Sequence, residues 1–138
     1  MKPYWQSPDG AIVLYCGDAR AVLPTLPQGR EGFDLLVTDP SYGVNATVTG
    51  MRKKQLPLGA VTNDHSTEIA WEVLPLAWRA LRFCRHAYVF GPFDLSTLPH
   101  ATSVVGLVWD KCILNMGDLS IPWGSSHEPI NFAVRKDG

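Results

Sequence analysis

Two acidic residues stand where short apolar runs end. Asp18 follows Ile12-Val13-Leu14-Tyr15-Cys16 through Gly17, and Asp39 follows Phe33-Asp34-Leu35-Leu36-Val37-Thr38 directly, opening the segment Asp39-Pro40-Ser41-Tyr42-Gly43. In open α/β sheets ligands bind beyond the carboxyl ends of the strands, so a carboxylate at such an end is placed to accept hydrogen bonds from a substrate or cofactor. Each acid also has a local use. Asp18 can cap the helical stretch that follows it, and Asp39, standing before a proline, can open a turn.

Other groups with chemical potential are sparser. The one dense basic run, Arg52-Lys53-Lys54, lies in a loop-like segment and suits either phosphate contacts or a solvated turn. Trp123, in Ile121-Pro122-Trp123-Gly124, also reads as a loop residue and is a candidate for stacking on nucleic acid. Trp71 and Trp78 share the apolar face of a helix and read as core. Trp109 and Lys111 end a strand, where a structural tryptophan and a phosphate- or cofactor-facing lysine are both open. His127-Glu128 has no second histidine at ligand spacing, so the pair reads as structural and no metal site is expected.

The elements that must position these residues follow from periodicity and punctuation. Tyr4-Trp5-Gln6 and Ala11 to Tyr15, joined by Ser7-Pro8-Asp9-Gly10, predict a hairpin with the proline and aspartate at the turn centre. A short helix from Ala19 to about Leu23 is stopped by Pro24 and Pro27. Phe33 to Thr38 predicts a central strand buried on both faces. From Ser41 to Ser66 no period is sustained, which predicts a long functional loop or lid. Ser66 then caps a largely buried helix from Thr67 to about Cys84, kinked at Pro75. His86 to Phe90, Val104 to Trp109 and Ile130 to Val134 read as strands, with a short helix from Asp94 to about His100. Strands alternating with helices predict an α/β fold with a mainly parallel sheet.

The 138 residues, 46% hydrophobic and 18% charged, have room for one compact domain, residues 1–138. No apolar run reaches the ~18 residues a membrane-spanning helix needs, and the N-terminus lacks the apolar stretch of a signal peptide, so a soluble, cytoplasmic protein is expected. Cys16, Cys84 and Cys112 are an odd number without paired spacing and read as reduced, mostly buried thiols. A formal net charge of −1 argues weakly against a nucleic-acid partner, and local clustering of charge matters more than the sum.

Asp39-Pro40-Ser41-Tyr42 resembles the Asp-Pro-Pro-Tyr motif of DNA adenine-N6 and cytosine-N4 methyltransferases, with Ser41 at the second proline. The surroundings extend the likeness: Leu14-Tyr15-Cys16-Gly17-Asp18-Ala19 and the strand Phe33 to Thr38 before it, Val108-Trp109-Asp110-Lys111 and Ser126-His127-Glu128-Pro129-Ile130 after it. In order and spacing these are similar to the permuted β-type group, whose target-base half precedes its cofactor half.

The resemblance implies a Rossmann-like methyltransferase sheet, S-adenosylmethionine as cofactor and double-stranded DNA as partner. It makes Asp39, Pro40, Ser41 and Tyr42 the catalytic segment, and Asp18, Ala19 and Asp39 the residues on the cofactor side. An exocyclic amine has its lone pair delocalised into the base, so a site must draw it toward tetrahedral geometry with acceptors aimed at its hydrogens, here the Asp39 carboxylate and the Pro40 carbonyl. Tyr42 would stack on the base, which has to be flipped out of the duplex to be reached. Arg52, Lys53, Lys54 and Trp123 would contact DNA. Serine at position 41 frees a loop that proline would stiffen, and leaves reduced or absent activity open.

The family also needs a glycine-rich loop after a strand, where the backbone closely approaches the cofactor's methionine end. None of the 12 glycines here is separated from another by a single residue, so even Gly-x-Gly is absent. An incomplete sheet is therefore expected: a truncated product, a natural fragment or a degenerate relative. The leading expectation is the catalytic half of an adenine-N6 DNA methyltransferase, in truncated or inactive form. Two alternatives are a catalytically silent DNA-binding or assembly module, and a methyltransferase acting on a non-DNA amide or amine. An incomplete sheet also leaves a strand edge exposed, which predicts a homodimer or association with the missing C-terminal half.

Overall fold

The computed structural model describes residues 1–43, 64–112 and 126–137. The chain opens with the hairpin that its turn residues predict, trimmed to two short strands, β1 (Trp5–Gln6) and β2 (Val13–Leu14), paired antiparallel with Trp5 opposite Leu14. Gly10 N–H donates to the Ser7 carbonyl at 2.9 Å to close the turn, and the Ser7 hydroxyl accepts from Ile12 N–H at 2.9 Å. Helix α1 (Ala19–Val22) is capped by Asp18 and tightens into a 3-10 turn at Leu23–Thr25, where Pro24 stops it. Strand β3 (Phe33–Thr38) has the predicted bounds.

Helix α2 (Glu68–Ala80) turns Ala70, Leu74, Ala77 and Trp78 inward, the spacing of a single helical face. The helix begins one residue later than expected, with Thr67 and not Ser66 at the N-cap; the Thr67 side chain makes no capping bond, while the Ser66 hydroxyl accepts from Glu68 N–H at 3.3 Å. The helix stops at Ala80, not near Cys84, and the chain passes straight into β4 (Leu81–Phe90). Arg135 packs against this end. Its guanidinium donates to the carbonyls of Trp78 at 3.1 Å, Arg79 at 2.9 Å and Leu81, occupying the acceptors that a further helical turn would use. Burial, and then the neighbouring Arg79 charge, push the Arg135 pKa below its ordinary value. The first part of β4 is irregular: Phe33 pairs with Leu81 but Leu35 with His86, and Cys84 in the extra stretch has φ +60°.

Beyond β4 come a 3-10 turn at Leu95–Thr97, capped by Asp94, then β5 (Ala101–Asp110) and β6 (His127–Arg135). The four long strands lie in the order β3-β4-β6-β5. This corrects the expectation of a mainly parallel sheet. Among the described residues only β3 and β4 are parallel neighbours; β6 runs antiparallel to both β4 and β5, so the sheet is mixed and mostly antiparallel. β6 lies between β4 and β5, which share a direction opposite to its own.

One face of the sheet meets α2 and the segment after β4. The core there is Leu74, Trp78, Leu81, Ala87, Val89, Phe93, Leu95, Leu98 and Ala133, with the Trp78 indole N–H donating to the Pro99 carbonyl at 2.7 Å. Burying each of the larger side chains contributes about 1.5–3 kcal/mol. The opposite face is apolar but open. Tyr88 and Phe132 meet there at 5.3 Å between ring centroids, and Phe90 meets Trp109 at 5.9 Å. Leu35, Val37, Val105, Leu107 and Trp109 remain exposed. Strand β3 is therefore not the central, doubly buried strand its composition suggests: its one neighbour among the described residues is β4, and Val37 is 58% exposed. The apolar run does form a strand, with Leu36 packed against the core, but the described residues leave its other face uncovered. The three cysteines also depart from expectation, since Cys16, Cys84 and Cys112 are all exposed free thiols. No helix among the described residues is long and apolar enough to cross a membrane.

Candidate functional site

Asp39 lies just past the carboxyl end of β3, Gly91 just past that of β4, and Lys111 just past that of β5, while antiparallel β6 begins at the same edge with His127 and Glu128. One end of the sheet thus gathers residues far apart in sequence. Asp39 is exposed and Pro40, Ser41 and Tyr42 are half-buried. The Tyr42 hydroxyl donates to the Asp39 carboxylate. Its ring packs beside Phe93, 6.2 Å between centroids, and Phe93 in turn meets Trp71 edge-on at 5.7 Å. Burial first, then the Asp39 hydrogen bond and the charges of Asp39 and Glu128, raise the Tyr42 pKa above its ordinary value of 10.0. Glu128 is paired with Lys111 across the ends of β5 and β6.

The backbone after Tyr42 is fixed to the start of α2. Gly43 N–H donates to the carboxylate of buried Asp64 at 3.0 Å, and Gly43 has φ +72°, a conformation that side chains disfavour. A Cβ there would lie 2.8 Å from the Ser66 carbonyl carbon. The catalytic segment predicted from sequence is thus held at both ends, by β3 before it and by Asp64 after it.

Asp18 has the local role that its position allows. Its carboxylate accepts from Arg20 N–H at 2.9 Å as the cap of α1, and it pairs with the Arg20 guanidinium at 2.6 Å. Arg20 extends the network to Glu72 on α2 at 2.7 Å. Hydrogen bonds from the Arg20 side chain, and then from its backbone, lower the Asp18 pKa to about 2. Ala19 is the first residue of α1 and is half-buried. Arg52, Lys53, Lys54 and Trp123 lie outside the described residues. Trp71 and Trp78 take the core positions read for them, Trp78 fully buried and Trp71 packed against the cluster.

Sequence reasoning passed over Asp64, Gly91, Phe93 and Asn131. Gly91 carried the same signal as Asp39, a position directly after an apolar strand. Asn131 had no such signal, because its role depends on β6 pairing with β4 across some forty residues of chain.

No protein-family model matches the chain. No curated protein matches it. A solved structure does: a Thermus thermophilus protein provisionally described as a DNA modification methylase, with a TM-score of 0.53 and 19% sequence identity. At that identity the likeness is one of fold. It extends over 88% of this chain but only 53% of the other, so the chain spans about half the length of the protein it matches. The four-strand mixed sheet with α2 on one face thus resembles part of a methylase fold.

Proposed function

We propose that this chain is the target-base half of an S-adenosylmethionine-dependent DNA amino-methyltransferase, acting on adenine N6. The observation that carries the reading is the Asp39–Tyr42 pair at the carboxyl end of β3, held in a sheet that resembles part of a methylase fold. The exposed Asp39 carboxylate and the Pro40 carbonyl supply acceptors for the two hydrogens of an amine, which favours its tetrahedral geometry. In the free chain the Tyr42 hydroxyl already occupies Asp39, so an arriving amine exchanges with it. The half-buried Tyr42 ring keeps exposed surface on which a flipped base can stack.

The cofactor is a different matter. Of the residues assigned to it, Asp18 has its carboxylate engaged by the α1 cap and by Arg20, and the sequence holds no Gly-x-Gly to cradle the methionine end. Among the described residues, those assigned to S-adenosylmethionine do not by themselves form a site for it, and in this reading the methyl donor is held chiefly outside the target-base half.

Methyl transfer to DNA by the full gene product, with and without Asp39→Ala, tests the proposal. Loss of activity with the fold retained is expected, and activity kept within tenfold would sink the assignment. A second reading, a catalytically silent DNA-binding module, is favoured by Ser41 in place of the motif's second proline. DNA binding without any methyl transfer by that gene product would decide for it.

A further inference from the structure

We infer that Gly91 and Asn131 are positioning residues that together form the seat of Tyr42, setting where its hydroxyl meets the Asp39 carboxylate. Gly91 is buried, with φ +97°, in a backbone region that side chains rarely adopt. A Cβ on it would stand 2.4 Å from Tyr42 Cε1, 2.7 Å from Tyr42 Cδ1 and 3.0 Å from Phe93 Cε2. The Tyr42 ring therefore lies directly on the Gly91 backbone, and only glycine leaves room for it. That peptide is itself fixed by β6: Gly91 N–H donates to the Pro129 carbonyl at 2.9 Å, and the Gly91 carbonyl accepts from Asn131 Nδ2 at 2.6 Å. Phe93 N–H donates to the same carbonyl at 3.0 Å, tying in the ring that flanks Tyr42.

Asn131 is a carboxamide between Ile130 and Phe132 in an otherwise apolar stretch of β6, opposite Val89. Its bond to the Gly91 carbonyl spans strands β4 and β6 and has no role in the sheet ladder. The chain of contacts runs from Asn131 through the Gly91 peptide to the Tyr42 ring, and from the Tyr42 hydroxyl to Asp39. Moving the first link displaces the last. The catalytic meaning of this seat rests on the proposed function, but the placement of the ring does not.

The chain labelled with 3-fluorotyrosine gives one fluorine resonance for each of Tyr4, Tyr15, Tyr42 and Tyr88, and Tyr42→Phe identifies the Tyr42 signal. Gly91→Ala and Asn131→Leu should each shift that signal toward the position of free fluorotyrosine and leave the other three in place. Should Gly91→Ala fail to fold, Asn131→Leu carries the test, since it removes one hydrogen bond and adds no backbone strain. A Tyr42 resonance unmoved in Asn131→Leu overturns the seat. In parallel, affinity for duplex DNA carrying an extrahelical 2-aminopurine should fall about tenfold in either variant, the loss of a stacking contact. If the unaltered chain binds no such DNA, the functional reading fails, while the fluorine spectra still judge the seat.

Discussion

The hydroxyl of Tyr42 donates to the carboxylate of Asp39, three residues earlier, so the acceptor proposed for a target amine is occupied in the free chain. The ring is pressed between this bond and the Gly91–Phe93 surface, and the same surroundings hold the phenol proton tightly.

A pH dependence follows from the raised Tyr42 pKa. Its folded value lies above the ordinary 10.0, chiefly through burial and then through Asp39, so the folded state binds this proton better than the unfolded state does. The stabilisation is fully present below about pH 10 and is lost as pH rises toward and through the folded value. Tyr42→Phe cannot ionise, and its urea-unfolding free energy should fall less steeply with pH above about 10 than that of the unaltered chain. Equal slopes for the two proteins would mean that the hydroxyl is not held as the structure shows.

Arg135 offers a prediction about stability that is independent of function. Its guanidinium closes the end of α2 through three backbone carbonyls and lies over the Phe83 ring, 4.5 Å from its centroid. Arg135→Met keeps much of the stem's packing and removes all the donors. A loss of about 2–3 kcal/mol in urea unfolding is expected, the scale of charge-assisted hydrogen bonds at a partly buried helix end. A change under about 0.5 kcal/mol would reduce the arginine to a surface charge.

Legibility in the sequence was uneven, for reasons that can be named. Phe33 to Thr38 was readable with its bounds because a short apolar run ending at Asp39-Pro40 is punctuated on one side by proline and packs as a strand. The capping role of Asp18 depends on a neighbour two residues away and was equally local. The direction of β6 was not legible, since nothing in Ile130 to Val134 says which strand it will pair with or in which sense. Nor were the contacts at the end of α2, where Arg135 arrives from more than fifty residues downstream. At the site, Asp39 and Tyr42 announced themselves by position, whereas the Gly91–Asn131 contact exists only once β6 lies beside β4.

Arg52, Lys53 and Lys54 carry a prediction from sequence alone, since they lie outside the described residues. If they contact DNA phosphates, replacing all three with alanine should flatten the dependence of log affinity on log salt, each lost contact contributing a slope of about 0.9. An unchanged slope would leave them as solvated charge.

The last prediction concerns what the chain does on its own. One face of the sheet exposes Leu35 and Val37 of β3 together with Val105, Leu107 and Trp109 of β5, and β3 has a free pairing edge among the described residues. Contiguous apolar surface and an unpaired strand edge both favour association, and in the isolated chain the available partner is a second copy. Sedimentation should show a dimer, and Val37→Lys, which places a charge on both the open face and the edge strand, should shift it to monomer. The same chain should take up S-adenosylmethionine weakly or not at all in a calorimetric titration, because Asp18 is committed to Arg20 and no Gly-x-Gly is present to approach the methionine end. A strict monomer that binds the cofactor at micromolar concentration would overturn both parts, by showing a complete pocket built from residues to which no cofactor role has been assigned.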